Sequence, residues 1–387
     1  MKVLMLSTDG NILTNGSESQ QRMLDYGSLV EELHIVVKSQ ISNLKSQRFG
    51  NVFVYPTNTW FKLLYFFDAY RIAKEIIFQL PTTNYQLLIT CQDPFETGLV
   101  GYLLKRKFSL PLQIQIHTDF LSPYFWKESI KNKIRVWLAK RLIKQADGIR
   151  VVSERIKESV VENCKLIIKN SAVAVLPIFV DTEKIKNAPI KTDLHQKYPS
   201  GFIILMASRL TKEKNISMAL KAIRRLTLNN TQINAEKVLL LVVGDGPESK
   251  NLQLISLREM SRRGTTHNLQ LENNVKFENA VPFELLISYY KTADLFLLTS
   301  NYEGYGRTAV EATAAGLPVL MTDVGVAVGS VVPVGDRVSL ADRLELLIGN
   351  RSEREKVLED QRMFLESCLS KESYLNQIKQ LWLKCFS

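Results

Sequence analysis

The fold is indicated first by the segment Glu303-Gly304-Tyr305-Gly306-Arg307-Thr308-Ala309-Val310-Glu311. An apolar run, Leu295–Leu298, lies just before it and is typical of a buried parallel strand. The alanine-rich run after Arg307 predicts a helix, which we expect to end at Gly316 and Pro318. The pattern therefore predicts a strand, a glycine-containing loop and a helix in direct succession.

The same segment places one carboxylate on each side of a potential anion site. Glu303 is expected on the loop that leaves the strand, and Glu311 on the first turns of the helix. Gly304 and Gly306 let the backbone approach a ligand closely, and the free N–H groups at the helix start face the same space. A sugar joined through a diphosphate to a nucleoside has the matching polarity. The alternative is an ordinary strand, turn and helix with two surface acids.

The segment resembles the Glu-x7-Glu signature of retaining glycosyltransferases of the GT-B fold, particularly family 4, the glycosyl transferases group 1. Its flanks strengthen the resemblance, with Thr299-Ser300 ahead and Ala312-Thr313-Ala314-Ala315-Gly316-Leu317-Pro318 behind. The resemblance implies that Glu303 binds hydroxyls of the donor sugar and that Glu311 binds the ribose. The backbone that would hold the sugar and diphosphate belongs to Tyr305, Gly306, Arg307 and Thr308.

Length and composition are those of an ordinary globular protein with two domains. The 387 residues, 45% of them hydrophobic and 23% charged, exceed what one core of typical size needs. No apolar stretch approaches the ~20 residues of a membrane span, and Met1–Ser7 is more typical of a first strand than of a signal peptide, so we expect a cytoplasmic protein. The four cysteines lack zinc-site or disulfide spacing.

The net charge of +11 is concentrated in the first half of the chain. Residues 1–190 carry 25 basic and 17 acidic side chains, a balance of +8. This excess suits an acidic partner, either anionic lipid or nucleic acid. Because no nucleic-acid-binding motif accompanies it, we favour lipid and expect no nucleic acid partner.

Aliphatic runs alternate with amphipathic stretches along the chain, which predicts βαβ units and parallel sheets covered on both faces. The first series of predicted strands is Val3–Ser7, His34–Val37, Val52–Tyr55, Leu87–Cys91, Gln113–His117, Gly148–Val152 and Val173–Leu176. The second is Ile203–Ala207, Val238–Val243, Val275–Glu278, Leu295–Leu298 and Pro318–Thr322. We therefore predict an α/β protein of the GT-B fold, with two Rossmann-like, doubly wound domains facing each other across a cleft.

The domain boundaries follow from these two series. An N-terminal, acceptor-binding domain is expected over residues 1–183, and a C-terminal, donor-binding domain over residues 201–370. Residues 184–200 are polar and interrupted by Pro189 and Pro199, which indicates a linker. The resemblance implies that residues 371–387 form a helix that returns to the first domain.

Two cations follow the first strand of the second domain, and the resemblance assigns both to the donor diphosphate. Arg209 and Lys214 lie between that strand and a helix expected to open near Ile216. Positive charge at a helix start opposes the helix dipole, which suggests a bound anion that offsets it. The alternative is a solvated pair of side chains.

Other strand ends of the second domain match family segments near the donor nucleotide. Gly244 begins a Gly-Asp-Gly-Pro turn, and Val281 corresponds to a base-contacting valine of the family. Asn279 stands where relatives usually carry glycine, which leaves the base open between uracil and guanine. The loop after Gly325 is shorter than in relatives, so any contact that it normally makes near the donor is in doubt.

The first domain supplies further candidates at its strand ends. His117 matches a family histidine that lies against the donor sugar; the alternative is a structural histidine satisfied by its neighbours. Gly16, Asp93 and Asp119 follow strands and are expected to line an acceptor pocket. For Asp93 the alternative is a cap of the helix that opens near Glu96.

Basic and aromatic residues alternate in one stretch of the first domain. The cations are Lys127, Lys131, Lys133, Arg135, Lys140, Arg141 and Lys144, and the interleaved residues are Tyr124, Phe125, Trp126, Ile134, Trp137, Leu138 and Leu142. Trp60–Phe67 is a second aromatic stretch. The pattern fits a helix in the interface of an anionic membrane, with peripheral contact, and equally a helix packed on the sheet with a solvated basic face.

The predicted function is retaining transfer of a hexose-type sugar from a nucleotide diphospho-sugar to a glycan or lipid-linked acceptor. The residues predicted to act in catalysis are His117, Arg209, Lys214 and Glu303. No Asp-x-Asp cluster follows a strand, so cations of the protein are expected to stabilise the diphosphate leaving group, without metal or cofactor. A GT-B-like sugar-nucleotide epimerase and a non-catalytic nucleotide-sugar-binding protein stay open as alternatives.

Overall fold

The computed structural model describes residues 1–39, 44–59, 64–80, 86–164, 173–199, 201–228, 237–261 and 274–386. Contacts divide the chain into two compact units: Met1–Pro177 with Leu369–Ser387, called unit 1, and Ile178–Cys368, called unit 2. The first half of the predicted aromatic stretch, residues 60–63, lies outside the described residues. None of the described helices is long and apolar enough to cross a membrane.

Unit 1 is built on one large sheet. Its strands are β1 (Lys2–Ser7), β2 (Glu32–Val37), β3 (Gln47–Phe49), β4 (Val52–Pro56), β5 (Leu87–Cys91), β6 (Leu112–Ile116), β7 (Gly148–Val151) and β8 (Val173–Val175). In the described residues their order is β3-β4-β2-β1-β5-β6-β7-β8, and every neighbouring pair is parallel except β3 with β4. From β1 the chain proceeds first towards β4 and then, from β5, towards β8, so the order reverses between β1 and β5. Ligands of such sheets bind beyond the carboxyl ends of the strands at that reversal.

The helices of unit 1 connect these parallel strands. They are α1 (Glu18–Gly27), α2 (Tyr65–Gln79), α3 (Glu96–Phe108), α4 (Pro123–Glu128), α5 (Ile130–Leu142) and α6 (Glu154–Cys164). Their apolar faces pack on the sheet: in α3, for example, Val100 and Leu104 are fully buried. With the strand order observed, the general rule that such crossovers are right-handed assigns α2 to α6 to one face of the sheet and α1 to the other.

Unit 2 contains a second, wholly parallel sheet. Its strands are β9 (Phe202–Ala207), β10 (Val238–Val243), β11 (Val275–Glu278), β12 (Leu295–Leu298), β13 (Val319–Thr322) and β14 (Ser330–Val332). Its helices include α7 (Thr182–Asn187), α8 (Leu194–Lys197), α9 (Ile216–Leu228), α10 (Ser249–Ser261), α11 (Phe283–Thr292), α12 (Arg307–Ala314), α13 (Arg337–Gly349) and α14 (Arg351–Glu366). The described strands lie in the order β11-β10-β9-β12-β13-β14, so this sheet reverses between β9 and β12.

The unit boundaries differ from the predicted domain boundaries. The division falls between Pro177 and Ile178, and the segment predicted as a linker, residues 184–200, overlaps α7 and contains α8, which are part of unit 2. The last helix, α15 (Lys371–Leu383), belongs to unit 1, where Trp382 meets Tyr26 edge to face at a centroid distance of 5.8 Å. Unit 1 is therefore completed by the C-terminal end of the chain.

Candidate active site

The Glu303 segment forms the predicted loop and helix in unit 2. Gly306 caps α12 with a φ of +85°, in the left-handed region that favours glycine. The loop after β13 contacts this segment: the Val326 N–H donates to the Tyr305 carbonyl at 3.0 Å. Gly325 has a φ of +58°, and a Cβ atom there would lie 2.6 Å from the same carbonyl oxygen. The loop that the resemblance describes as short therefore contacts the segment predicted to hold the donor.

Lys214 and Glu303 meet at the reversal of the second sheet. Lys214 Nζ lies 2.5 Å from Glu303 Oε1, and the Ser300 hydroxyl donates to the same oxygen at 2.7 Å. Thr299 ties the two loops together, since its hydroxyl donates to the carbonyls of Lys214 and Asn215. Both members of the ion pair are about one-seventh exposed. The structure thus brings these two predicted residues together, with the cation held by a carboxylate.

Glu311 lies one turn into α12 and is almost completely buried. Its Oε1 forms an ion pair with Arg307, with Nε 2.7 Å away, and its Oε2 accepts a hydrogen bond from the Tyr290 hydroxyl at 3.1 Å. Burial and the Glu311 carboxylate together raise the pKa of Tyr290 well above its usual value, so this phenol stays a donor. Each carboxylate oxygen of Glu311, the residue predicted to bind the ribose, therefore already has a partner in the protein.

A cavity of about 310 Å³ opens at the carboxyl ends of β9 and β10. Its lining residues are Ala207, Ser208, Arg209, Val243, Gly244, Asp245, Ala280, Val281, Leu286 and Thr308. Four predicted donor-site residues, Arg209, Gly244, Val281 and Thr308, therefore come together from four separate segments of unit 2. Lys214, Glu303 and Glu311 are not among the lining residues.

The floor of this cavity depends on glycine. Gly244 has a φ of +146°, its N–H donates to the Glu278 carbonyl at 2.9 Å, and a Cβ atom there would lie 1.9 Å from the Ser208 carbonyl oxygen. Asp245 completes the turn by accepting from the Ala280 N–H at 3.0 Å. Close backbone approach between the β9 and β10 loops is therefore possible only without a side chain at Gly244.

A polar cluster around Glu278, which the sequence did not predict, lies at the end of β11. The carboxylate accepts from Lys197 at 2.7 Å and from Tyr289 at 2.8 Å, and it also accepts from the Tyr198 hydroxyl. Burial raises the pKa of Glu278, but these three donors outweigh burial and leave the pKa below its usual range. The cluster joins the end of α8 to the strand whose next residues line the cavity.

His117 of unit 1 belongs to a buried polar network. His117 Nε2 and Gln115 Oε1 are 3.0 Å apart, and the same oxygen accepts from Arg150 Nη1 at 3.2 Å. Arg150 is 2% exposed and donates further to the carbonyls of Leu176 and Pro177 and to the Tyr374 hydroxyl. In the described residues all of its hydrogen-bond acceptors are neutral oxygens, with no carboxylate among them.

This network determines the protonation state and the tautomer of the His117 ring. Because Arg150 can only donate, the Gln115 oxygen is the acceptor, and the His117 nitrogen facing it must carry the proton. Burial first, and then the charges of Arg150 and Arg22, lower the pKa of His117 to about 3. The ring is therefore neutral near pH 7, with Nε2 as donor and Nδ1 as an unprotonated acceptor.

The three predicted acceptor residues lie on separate loops of unit 1. Asp93 Oδ1 accepts from the N–H groups of Phe95 and Thr97, at 2.8 and 3.3 Å, which is the helix-capping role considered as its alternative. Burial and Glu96 raise the pKa of Asp93 to about 6. Burial also raises the pKa of Asp119, and Gly16 lies exposed with a φ of +74°. The structure gives no direct contact among these three residues.

Arg150, Gln115 and the Glu278 cluster were missed by sequence reasoning. One signal was present for Arg150, since a charge inside an otherwise aliphatic parallel strand is buried on both faces and must find partners. Two of the three partners of Glu278, Lys197 and Tyr198, lie 81 and 80 residues away along the chain, and no local pattern marks them. Among the described residues, no three His, Cys, Asp or Glu side chains lie together so that they could hold a metal ion.

Comparison with known proteins identifies the family of this chain. The model of the glycosyl transferases group 1 matches residues 191–362, and the model of glycosyltransferase family 4 matches residues 32–184. The chain is 27% identical over 266 residues to an alpha-monoglucosyldiacylglycerol synthase of Streptococcus pneumoniae, covering 66% of this chain and 54% of that protein. It spans only 54 to 59% of the length of three curated relatives, this synthase among them.

Solved structures share the fold. A sucrose-phosphate synthase from Thermosynechococcus elongatus superposes with a TM-score of 0.78 at 17% identity, over 100% of this chain and 99% of that one. The Anabaena protein HepE, in complex with UDP and glucose, superposes with a TM-score of 0.69 at 19% identity, over 98% of each chain. The two family models match successive parts of the chain, and the solved structures share its fold over nearly the whole length. The chain therefore belongs to the group 1 glycosyltransferases of family 4, which have the GT-B fold.

Proposed function

We propose that the protein transfers a hexose-type sugar from a nucleotide diphospho-sugar to a glycan or lipid-linked acceptor, with retention of configuration and without a metal ion. The observation that carries this proposal is the convergence of Arg209, Gly244, Val281 and Thr308 on one cavity at the carboxyl ends of β9 and β10. UDP and glucose bound to a protein of the same fold support the donor class. The synthase named above supports the acceptor class, since its name refers to a glycosylated lipid.

Arg209 is the cation best placed to meet an incoming diphosphate. Its side chain is 79% exposed, and its guanidinium lies 3.6 Å from Glu213, an ion pair too exposed to hold it firmly. Planar guanidinium groups bind phosphate oxygens bidentately. Arg209 would therefore turn from Glu213 to the diphosphate at little energetic cost.

Lys214 would stabilise the leaving group in the same reaction. Negative charge grows on the diphosphate as the glycosidic bond lengthens, and a cation already fixed at 2.5 Å from Glu303 needs little reorganisation to meet it. The N–H groups at the start of α12 add their dipoles. Together these groups would bind the transition state more strongly than the ground state, which is the condition for catalysis.

The carboxylates and the histidine would orient the donor. Glu303 would accept sugar hydroxyls with its remaining lone pairs, and the neutral His117 would accept one more at Nδ1. A ribose bound by Glu311 would replace or share the contacts that Arg307 and Tyr290 make with this carboxylate. Nucleotide binding is therefore expected to change the position of the Arg307 side chain. No side chain is assigned as nucleophile, because retention would proceed by front-face attack in which a donor phosphate oxygen takes the acceptor proton.

Ligand-induced stabilisation tests the donor. The protein is incubated with a panel of uridine, guanosine and adenosine diphospho-sugars, and the melting temperature is recorded, because a ligand that binds only the folded state must raise it. We expect the melting temperature to rise with diphospho-sugars of one nucleoside base, and we expect added EDTA to leave this rise unchanged. If no member of the panel raises the melting temperature, the donor site is wrongly assigned.

Product release then tests the reaction. Nucleoside diphosphate is measured with the stabilising donor, in the absence and presence of glycan and lipid acceptors, and anomeric configuration is read from the product by NMR. Transfer predicts release that depends on the acceptor. An epimerase would change the donor without acceptor, and a binding protein would release nothing; either result contradicts the proposal.

A further inference from the structure

The helix pair α4 and α5 exposes large apolar side chains to solvent. Trp126 is 45% exposed, Ile130 77%, Ile134 61% and Trp137 56%. Ile130, Ile134 and Trp137 are spaced by four and three residues, so they share one face of α5. The opposite face is used for packing, since Val136, Ala139 and Leu142 are buried. We call the exposed face, with Trp126, the basic aromatic patch.

Cations surround the exposed apolar side chains. Residues 123–144 carry seven basic side chains and one acidic side chain, Glu128. Lys133 Nζ lies 4.5 Å from the centroid of the Trp126 ring, and the Arg141 guanidinium lies 3.8 Å from that of Trp137. The patch therefore combines a strong positive field with indole rings and aliphatic side chains, all of them facing outward.

This combination selects one class of partner. A nucleic acid would use the cations but would gain nothing from burying Ile130 and Ile134. An anionic bilayer uses both features, because tryptophan and aliphatic side chains enter the boundary between headgroups and acyl chains while lysine and arginine reach the phosphates. An acidic protein surface is the remaining alternative and becomes an outcome of the test.

The patch is joined to the loop that follows β5. Arg135 Nη2 lies 2.6 Å from Glu96 Oε1 at the start of α3, and the rings of Phe95 and Phe125 stack at 5.9 Å. These contacts connect the helix pair to the carboxyl end of the first sheet. The helix pair that carries the patch is therefore packed against the segment that follows Asp93.

We propose that the basic aromatic patch docks the protein on an anionic bilayer, with Ile130, Ile134 and Trp137 in the interface. This docking goes beyond the proposed function and does not depend on it, since it requires neither donor nor acceptor. If sugar transfer is also correct, docking favours a membrane lipid over a soluble glycan as acceptor.

Vesicle co-sedimentation of the full chain tests the inference. We compare vesicles of phosphatidylcholine alone with vesicles of phosphatidylcholine and phosphatidylglycerol in equal parts, and we expect binding to the second only. Binding should weaken as salt is added, because the electrostatic part is screened. Equal binding to both vesicles, or binding to neither, would overturn the proposal; the latter result would favour an acidic protein partner.

Paired variants locate the contact. The double substitution Lys133→Glu/Arg141→Glu should raise the Kd for anionic vesicles by at least about tenfold. Its control, Lys250→Glu/Arg337→Glu, changes net charge equally at exposed sites of unit 2 and should bind as wild type. Ile134→Ser/Trp137→Ser should also weaken binding, whereas Leu254→Ser/Leu257→Ser, at similarly exposed residues of α10, should not. Circular dichroism and melting temperature verify folding, and equal losses in patch and control variants would refute the assignment.

Discussion

Both units hold cations at the carboxyl ends of their sheets, but the oxygens that accept hydrogen bonds from or pair with these cations differ in charge. In unit 1, Arg150 is surrounded by carbonyl, amide and phenol oxygens, and the nearby His117 is kept neutral. In unit 2, Lys214 and Arg307 are each paired with a carboxylate. A carboxylate can be exchanged for a phosphate, whereas a ring of carbonyls inside the core cannot be replaced by a ligand. The contrast indicates a structural cation in unit 1 and exchangeable cations in unit 2.

The largest effect is expected where a cation of unit 2 is removed. Lys214→Ala should lower kcat about 10²- to 10³-fold, the usual consequence of losing one preorganised group that stabilises developing negative charge. The matched control is Lys212→Ala, which removes an exposed lysine from the same turn. Steady-state transfer rates measure both variants. Equal rates for Lys214→Ala and wild type would mean that the Lys214–Glu303 pair is only structural.

Removal of the cation of unit 1 should affect stability instead. Arg150→Met fills a similar volume but leaves the carbonyls of Leu176 and Pro177 without the donor that Arg150 supplies, at a cost of about 3 kcal/mol. For a unit of this size the melting temperature should fall by about 6–12 °C. Arg106→Met, at an exposed position of α3, is the control. An unchanged melting temperature would show that the network is not needed for the fold.

Two glycines give a smaller, paired test. Gly244→Ala would force a Cβ atom against the Ser208 carbonyl, so the floor of the cavity must shift and the affinity for the nucleotide sugar should fall at least about tenfold. Gly16→Ala meets no atom within 4 Å and should cost only about 1 kcal/mol of backbone strain. Calorimetric binding and thermal melting distinguish the two effects. Equal affinity of both variants would contradict the role given to the cavity.

The smallest change is expected from the histidine of unit 1. With a pKa of about 3, His117 should show no titration between about pH 5 and 8 and should keep its proton on Nε2, as read from nitrogen NMR shifts. Because the folded pKa lies below that of the unfolded chain, only the unfolded state gains a proton as pH falls below about 6.5. His117 therefore lowers the free energy of unfolding progressively as the pH falls from about 6.5 to 3. A midpoint near 6.5 would show that Arg150 and burial do not control the ring.

Much of the fold was predictable because strands and helices leave local patterns. The predicted strands Leu87–Cys91, Val238–Val243, Val275–Glu278 and Leu295–Leu298 have the observed bounds. The short strands β3 and β14 were missed, since three residues are too few for a period and become strands only through pairing with a neighbour. The helices within the predicted linker were also missed, because proline and polar residues there resemble a loop.

The candidate site was predictable for the residues that follow strands, because carboxyl ends of parallel strands meet at one edge. That rule accounts for Arg209, Gly244 and Val281 at the cavity. It could not predict which charges would pair, and it did not anticipate that both oxygens of Glu311 would have protein partners. The sequence also did not decide which side chains of residues 124–144 are exposed: Phe125 and Leu142 are buried, whereas Ile134 and Trp137 are exposed.

Local order along the chain was thus enough to specify the elements, their succession and the residues at their ends, because hydrophobic periodicity and turn chemistry act over a few residues. Long-range packing settled the partnerships: Lys214 with Glu303 across 89 positions, and Arg150 with Tyr374 across 224. Such contacts form only when whole sheets and helices have packed, since a charge finds its partner in three dimensions. The chemistry of both units therefore depends on neighbours that no local pattern specifies.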